Sequence, residues 1–176
     1  MILNYPNPIL RQTAKPVKTI NEEIRELAKN LLATVIPDPR EPLGVGLAAN
    51  QIGSLWRVFV MMFPTKKIEV IINPQILKSS KKMLSSLPKN DQFLEGCLSF
   101  PGYYGFVDRP VKIKVSYQTL SSLTKTVRLT APYSIYFQHE LDHLNGILFI
   151  DYIKKSDEQL YFGSGRDHLK PVKNPF

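Results

Sequence analysis

The strongest chemical signal in this sequence is a pair of histidines four residues apart. His139 and His143 enclose Glu140 in the pattern His-Glu-x-x-His. On a helix, residues four apart lie one turn above one another, so both imidazole rings can reach the same divalent metal ion. Glu140 follows His139 by about 100° of helix rotation, so its carboxylate can act on a water without taking a ligand position. The motif therefore predicts a hydrolytic metal site.

A catalytic metal of this kind needs a third protein ligand and an open position for water. One large group of zinc proteases takes a histidine in the pattern His-x-x-Gly-x-x-His, but this chain has Gly146 followed by Phe149 at the histidine position. Glu158 is a candidate of the kind that the other large group uses. Cys97 is the better candidate, because Gly96 before it lets the backbone turn closely and a nearby metal would hold its thiolate form.

A glycine-punctuated segment, Gly44–Gln51 (GVGLAANQ), is the third pattern. It lacks the lysine and hydroxyl ending of a phosphate loop, and no dinucleotide fingerprint follows it. A turn with close backbone approach is therefore expected, with Gln51 supplying an amide donor at its end. The third histidine, His168, lies in a tail rich in proline and glycine and is expected on the surface.

The three patterns, in this order and at these spacings, resemble those of the peptide deformylase family. That family is marked by a Gly-x-Gly-Leu-Ala-Ala-x-Gln segment, a Glu-Gly-Cys-Leu-Ser segment and a Gln-His-Glu-x-Asp-His helix, which match residues 44–51, 95–99 and 138–143 here. The resemblance extends over most of residues 5–153 through shorter matches at Asn7–Arg11, Gln51–Gly53, Asn73–Pro74, Pro101–Gly102 and Val107–Pro110. The coincidence of the motifs is far more specific than any one of them.

The resemblance implies a metal-dependent hydrolase that removes the N-formyl group from the N-terminal formyl-methionine of nascent polypeptides and releases formate. It implies that Cys97, His139 and His143 hold one divalent ion and leave a fourth position to water. Fe²⁺ is the expected ion, with Zn²⁺ or Ni²⁺ able to replace it. Glu140 would take a proton from the water and return it to the departing amine.

The same resemblance implies roles for residues around the metal. The backbone N–H of Leu98 and the side-chain amide of Gln51 would stabilise charge on the formyl oxygen. A pair between Glu95 and Arg109 would support the cysteine loop, and Gly46 would bind the substrate backbone.

Helix spacing points to the pocket for the methionine side chain. Ile135 and Tyr136 precede His139 by four and three residues, so they share its helix face. With Val45 they are predicted to line an apolar pocket, although plain core packing is the alternative role. Tyr104 stands where many relatives carry arginine, so contacts at the pocket rim are expected to differ.

The elements that must position these motifs follow from local patterning. A helix is predicted after the Asn21 cap, with Pro37 and Pro39 ending it, and a second from Pro132 to about Asn145, stopped by Gly146. Strands are predicted at Arg57–Met62, Glu69–Asn73, Val111–Tyr117 and Lys125–Leu129, and a solvated basic loop at Lys78–Asn90. The family resemblance gives the fold class: α+β, deformylase-like, with antiparallel strands packed around a central metal-binding helix. Residues 1–176 are expected to form a single catalytic domain, with an irregular tail from about residue 157.

Composition fits a globular protein and sets its expected surroundings. The 176 residues are 43% hydrophobic and 22% charged, and no apolar run reaches the ~18 residues of a membrane span. A single cysteine excludes intrachain disulfides and favours a cytoplasmic location. Formyl-methionyl nascent peptides are the expected partners, with transient ribosome association, no membrane and no specific nucleic-acid sequence.

Two rival interpretations remain open on the sequence. A metallopeptidase with Glu158 as third ligand would keep its metal in a Cys97→Ala variant. A non-enzymatic RNA-binding or ribosome-binding module is motivated by the net charge of +8 and by the basic Lys78–Lys89 loop. The affinity of such a module for RNA or ribosomes would fall steeply with salt, and Glu140→Ala would not change it.

Overall fold

The computed structural model describes residues 1–36, 44–163 and 168–176. These residues form three α-helices, α1 (Glu22–Val35), α2 (Tyr133–Leu144) and α3 (Phe149–Ser156). Their strands are β1 (Gly46–Ala48), β2 (Val58–Met62), β3 (Ile68–Ser79), β4 (Glu95–Cys97), β5 (Phe100–Gly105), β6 (Lys112–Gln118), β7 (Thr124–Thr130), β8 (Leu160–Phe162) and β9 (Lys170–Val172). Pro37 and Pro39, expected to end α1, lie outside the described residues.

The strands form two antiparallel sheets. The larger sheet has the order β1-β2-β3-β6-β7, and the smaller has the order β4-β5-β8-β9. Both sheets are antiparallel, and the helices do not alternate regularly with the strands along the chain. This arrangement confirms the predicted α+β class.

Strand β2 is buried on both faces because helices cover both sides of it. Val58 and Val60 belong to the apolar cluster that includes Leu31 of α1. Phe59, on the opposite face, packs against Phe137 of α2 with ring centroids 5.2 Å apart. Successive strand residues point to opposite faces, so one apolar run packs against both helices.

Helix α1 begins where its cap was predicted. The Asn21 side chain accepts a hydrogen bond from the backbone N–H of Ile24 at 3.2 Å, which satisfies a donor of the first turn. Its apolar face, formed by Ile24, Leu27, Ala28, Leu31 and Val35, is buried against the larger sheet.

Strand β6 alternates between a buried face and a polar face, as its sequence predicts. Ile113, Val115 and Tyr117 are buried, whereas Lys112 and Lys114 are not. Ile113 and Val115 share a cluster with residues of α2, so this sheet presents one face to the helix that bears the His-Glu-x-x-His motif.

The structure corrects two sequence predictions. The expected basic loop Lys78–Asn90 begins inside β3 and contains two short 3₁₀ turns, Leu84–Ser86 and Lys89–Asp91. The prediction of an irregular tail from about residue 157 is wrong where β8 and β9 extend the smaller sheet. Each of these strands has three residues, too few for hydrophobic alternation to identify them.

Candidate active site

Three side chains that could hold a metal ion meet between α2 and the end of β4. The ligand atoms of Cys97, His139 and His143 all lie within 4.8 Å of one another. The Sγ of Cys97 is 3.2 Å from Nε2 of His143. The two histidines share one face of α2, with ring centroids 5.0 Å apart. One thiol and two imidazoles form a donor set suited to a divalent transition metal.

A buried ion pair orients the first histidine. His139 donates from Nδ1 to Oε2 of Glu95 at 2.9 Å, which leaves its Nε2 for the metal position. Arg109 donates to both oxygens of Glu95, with 3.0 Å between Nη2 and Oε2. Arg109 also reaches back to the motif helix, where its Nη1 lies 2.7 Å from Oδ2 of Asp142. The predicted Glu95–Arg109 pair therefore forms, and it connects the cysteine strand to α2.

The charges of this pair stabilise each other. Burial alone would raise the pKa of Glu95, but the neighbouring Arg109 charge and the bonds from His139 and Arg109 lower it to about 2. Burial would likewise lower the pKa of Arg109, yet the charge of Glu95 raises it above its usual value. The guanidinium also lies over the ring of Tyr152, 5.0 Å from its centroid.

The electrostatics of the ligand group favour a cation. Burial opposes protonation of His139, but hydrogen bonds to Cys97 and Glu95 hold its pKa well above the usual value. His143 behaves differently, because burial and the charges of His139 and Arg109 hold its pKa well below the usual value. The buried Glu95 carboxylate thus favours positive charge beside the ligand group, and one thiol with two imidazoles is a donor set that fits a divalent ion.

Glu140 is buried beside the ligand group, with only 4% of its surface exposed. Burial raises the pKa of this carboxyl to about 7, with the His139 charge acting in the opposite direction. Its Oε2 has no hydrogen-bond partner among the described residues. Gly46 packs directly against this carboxylate, because a Cβ on Gly46 would come within 2.9 Å of Cδ of Glu140.

The Gly44–Gln51 segment attaches to both the cysteine loop and the motif helix. Gln51 accepts from the backbone N–H of Ala48 at 2.8 Å, and its Nε2 donates to Oγ of Ser99 at 3.1 Å. The same Nε2 lies 3.5 Å from Sγ of Cys97, so the predicted amide donor is at the ligand group. Asn50 donates to the backbone carbonyl of His143 and fastens the segment to the end of α2.

A cavity of about 330 Å³ opens beside these groups. The sequence-predicted Val45, Gly46, Leu98, Ile135 and Tyr136 all line it, as do Gln51, Cys97, His139 and Glu140. Tyr104, expected at a pocket rim, is also in the lining.

Several lining and supporting residues were missed on the sequence. Phe93, Leu94, Phe100 and Tyr103 contribute to the cavity wall. They flank the Glu-Gly-Cys-Leu-Ser motif without belonging to it, so nothing in their spacing marked them. Asp142, which accepts a hydrogen bond from Arg109, was also missed. It lies three residues after His139 on α2, and this spacing could have placed it on the same helix face as His139.

The two remaining candidates lie elsewhere. Glu158 is exposed and lines a separate surface cavity, together with Ser85 and Lys89. His168 is exposed, as expected. Within residues 1–36, 44–163 and 168–176, the group able to hold a metal comprises Cys97, His139 and His143 without Glu158.

Comparison with known proteins identifies the class. The family model described as polypeptide deformylase matches residues 1–159. The peptide deformylase of Rhizobium meliloti is 41% identical over 158 residues, covering 88% of this chain and 84% of that protein. The peptide deformylase of Stutzerimonas stutzeri is 40% identical over 156 residues, covering 86% of this chain and 85% of its own length.

Solved structures agree with the sequence relatives. Peptide deformylase from Thermotoga maritima superposes with a TM-score of 0.76 at 35% identity, covering 86% of this chain and 95% of that one. The Plasmodium falciparum enzyme in complex with an inhibitor gives a TM-score of 0.74 at 32% identity, covering 89% and 91%. The chain belongs to the peptide deformylase family. It is therefore a metal-dependent hydrolase that removes the N-formyl group from nascent peptides.

The described part of the chain contains no helix with the length and apolar character needed to span a membrane.

Proposed function

We propose that deformylation takes place in the cavity beside Cys97, with Glu140 as the group that moves the proton. The observation that carries the assignment is the carboxylate oxygen of Glu140 that no described residue pairs with, buried at the same cavity as the thiol and His139. A buried acceptor without a partner is costly unless a ligand or water satisfies it. A water about to attack a formyl carbon is such a partner.

Cys97, His139 and His143 would hold the metal, and Fe²⁺ is our proposal for the ion. A divalent ion bound there supplies Lewis acidity, which polarises the formyl carbonyl and acidifies a water. Support comes from the compact donor set and from the Glu95 carboxylate, whose negative charge favours a cation nearby. The Glu95 carboxylate binds Nδ1 of His139, which would leave Nε2 of that ring for the ion.

Glu140 is suited to taking up a proton and giving it back. Because burial raises its pKa to about 7, both protonation states are accessible near neutral pH. The ionised carboxylate would accept the proton of the attacking water. The protonated form would then deliver that proton to the amine nitrogen as the bond from carbon to nitrogen breaks, which leaves formate and a free amino terminus.

Two donors would stabilise the charge that builds on the formyl oxygen. The side-chain amide of Gln51 is already held by Ala48 and Ser99 at the ligand group. The backbone N–H of Leu98 is our second donor, because Leu98 follows Cys97 directly and lines the cavity. A preorganised donor of this kind is worth about 3 kcal/mol in a transition state.

The methionine side chain would enter the apolar part of the cavity. Val45, Ile135 and Tyr136 line this part, and Gly46 would bond the substrate backbone. Ile135 is 1% exposed, so its side chain is packed into the wall of the cavity.

The test is formate release from a formyl-methionyl peptide by metal-loaded protein. The wild type should release formate, and Glu140→Ala should lose at least about 100-fold in kcat/KM, because a positioned acid–base group contributes 10²–10⁴-fold. Glu140→Ala should still bind one metal ion per chain, whereas Cys97→Ala should lose metal affinity. Absence of formate from the metallated wild type would refute the proposal.

The identity of the ion needs a separate measurement. Protein purified without oxygen should contain iron, and activity should follow iron content when the sample is stripped and reloaded. A zinc-loaded sample as active as the ferrous one would overturn the choice of Fe²⁺.

We further propose that the protein works in the cytoplasm and meets its nascent substrates through transient association with ribosomes. The thiol ligand Cys97 must stay reduced to bind metal, which suits a reducing compartment. Sedimentation of cell extracts should find a salt-labile fraction with translating ribosomes and the remainder in the soluble fraction. Recovery of all the protein away from ribosomes at low salt would argue against the association.

A further inference from the structure

The whole formal net charge of this protein resides in two segments. Residues 70–90 and 110–139 contain eight basic residues and no acidic one. The rest of the chain has 15 basic and 15 acidic residues, so it is formally neutral. The eight are Lys78, Lys81, Lys82, Lys89, Lys112, Lys114, Lys125 and Arg128. None of the metal or substrate motifs includes any of them.

The fold brings these two segments together in the larger sheet. Strand β6 pairs with β3 on one side and with β7 on the other. In this register Lys78 is opposite Lys114, and Lys114 is opposite Arg128. We call these three residues the basic row. Lys112 lies two positions before Lys114, and therefore on the same face of β6.

The basic row has no compensating partner within the part of the chain that the structure describes. Like charges directly opposite one another on neighbouring strands destabilise a sheet. Among the described residues, no carboxylate forms an ion pair with any member of the row, whereas Lys125 pairs with Glu69 at 3.0 Å. The row cannot turn inward, because Ile113, Val115 and Leu129 fill the opposite face against α2.

Uncharged hydrogen-bonding groups flank the row. Gln75, Ser116 and Thr126 form one neighbouring cross-strand set, and Thr130 is opposite Lys112. These side chains can bond phosphate oxygens and sugar hydroxyls. The aromatic residue of β6, Tyr117, is buried on the other face, so it offers no platform for stacking single-stranded bases.

We propose that the basic row and its polar flanks bind the backbone of duplex RNA, without regard to sequence. The cations would neutralise phosphates, and the hydroxyl and amide groups would contact 2′-hydroxyls. An anionic membrane is the competing occupant, because Leu77 and Leu123 are exposed in the same segments. The groups flanking the row itself are polar, which favours RNA. The proposal does not depend on the deformylase reaction, since the surface is across the sheet from α2.

The test measures binding to a labelled RNA duplex of about 20 base pairs, at several salt concentrations. Full-length metal-loaded protein should bind, and its affinity should fall steeply as salt rises. Replacing the row as Lys78→Gln, Lys114→Gln and Arg128→Gln should weaken binding at least about tenfold and reduce the salt slope by about 3, one for each phosphate that is no longer neutralised. Formate release from a short peptide should be unchanged, which shows that the fold is intact.

The matched control removes the same amount of charge elsewhere. Lys18→Gln, Lys154→Gln and Lys155→Gln alter three exposed lysines outside the two segments, and this variant should lose less than about threefold in affinity. Equal losses in the two variants would overturn the proposal, because net charge alone would explain them. Equal affinity for a DNA duplex, or binding to anionic vesicles without binding to RNA, would also overturn it.

Discussion

Glu95 is the residue on which both the ligand group and the local fold depend. Its carboxylate accepts from His139 and from Arg109, and it is 6% exposed. Removing one partner of a buried ion pair leaves the other charge uncompensated. One side chain therefore couples the orientation of a metal ligand to the stability of the cysteine strand.

We expect Glu95→Gln to reduce the free energy of unfolding by about 3 kcal/mol, the lower end of the range for a broken buried pair. The measurement is urea unfolding at neutral pH with metal removed. Glu26→Gln, on the exposed side of α1, is the control and should change stability by less than about 0.5 kcal/mol. Equal stability of Glu95→Gln and wild type would contradict the assigned role of the pair.

The pH dependence of stability should carry the signature of the same carboxyl. The pKa of Glu95 is lowered in the folded protein from 4.5 to about 2, so its ionisation favours the folded state above pH 4.5. This contribution should be lost as pH falls from 4.5 through about 2. Acid unfolding curves should therefore be steeper in this window for the wild type than for Glu95→Gln. Parallel curves would show that another group governs acid unfolding.

The contact between β1 and α2 depends on the absence of a side chain at Gly46. A Cβ there would meet the Glu140 carboxylate, so Gly46→Ala should push the carboxylate out of position. We expect kcat/KM to fall about 100-fold with one metal ion still bound per chain. Gly44→Ala is the matched control, because the nearest atom to its Cβ would be the flexible end of Leu98, at 3.2 Å. Similar losses in the two variants would argue for a general effect on the segment.

The basic row should cost the larger sheet stability. Lys114 is opposite a cation on both neighbouring strands, so Lys114→Thr should increase the free energy of unfolding by about 0.5 kcal/mol at low salt. The gain should shrink as salt is added, because screening weakens the repulsion. Chemical denaturation at two salt concentrations measures this. A gain that is independent of salt would instead reflect the strand propensity of threonine.

The elements that were predicted from the sequence are those with strong local signals. Helix α2 has a proline at its start and a glycine beyond its end, and β6 has strict alternation over seven residues. By contrast, β8 exists because Leu160–Phe162 pairs with the edge of β5, an interaction that no local pattern encodes. The ligand motifs could be predicted because, like α2, each is a short local pattern in the sequence. The place of Phe93 in the cavity wall could not be predicted, because only tertiary packing brings it there.

At the scale of the whole molecule, an aromatic cluster connects parts of the chain that are distant in sequence. Phe176 packs against Tyr5, Phe100 and Tyr103, with ring centroids 5.4, 5.1 and 4.9 Å away. Phe100 and Tyr103 also line the cavity. Phe176 thus supports one wall of the site.

Phe176→Ala should lower the free energy of unfolding by about 1–2 kcal/mol, since a half-buried ring is removed. KM for a formyl-methionyl peptide should rise severalfold, because Phe100 and Tyr103 would no longer be held by this ring. Thermal unfolding and steady-state kinetics measure the two effects. Leu123→Ala is the control, because Leu123 is 65% exposed and is not among the residues that line the cavity. An unchanged KM in a destabilised Phe176→Ala protein would separate the cluster from substrate binding.

The two faces of the larger sheet carry different candidate sites. Its inner face carries the helix with the metal ligands, and its outer face carries the basic row. A compound lodged in the cavity therefore leaves the outer face unobstructed. An inhibited enzyme would therefore still bind RNA through the basic row, and it would compete with active copies for the same RNA. Inhibiting catalysis and releasing the protein from RNA would then require two different compounds, one for each face of the sheet.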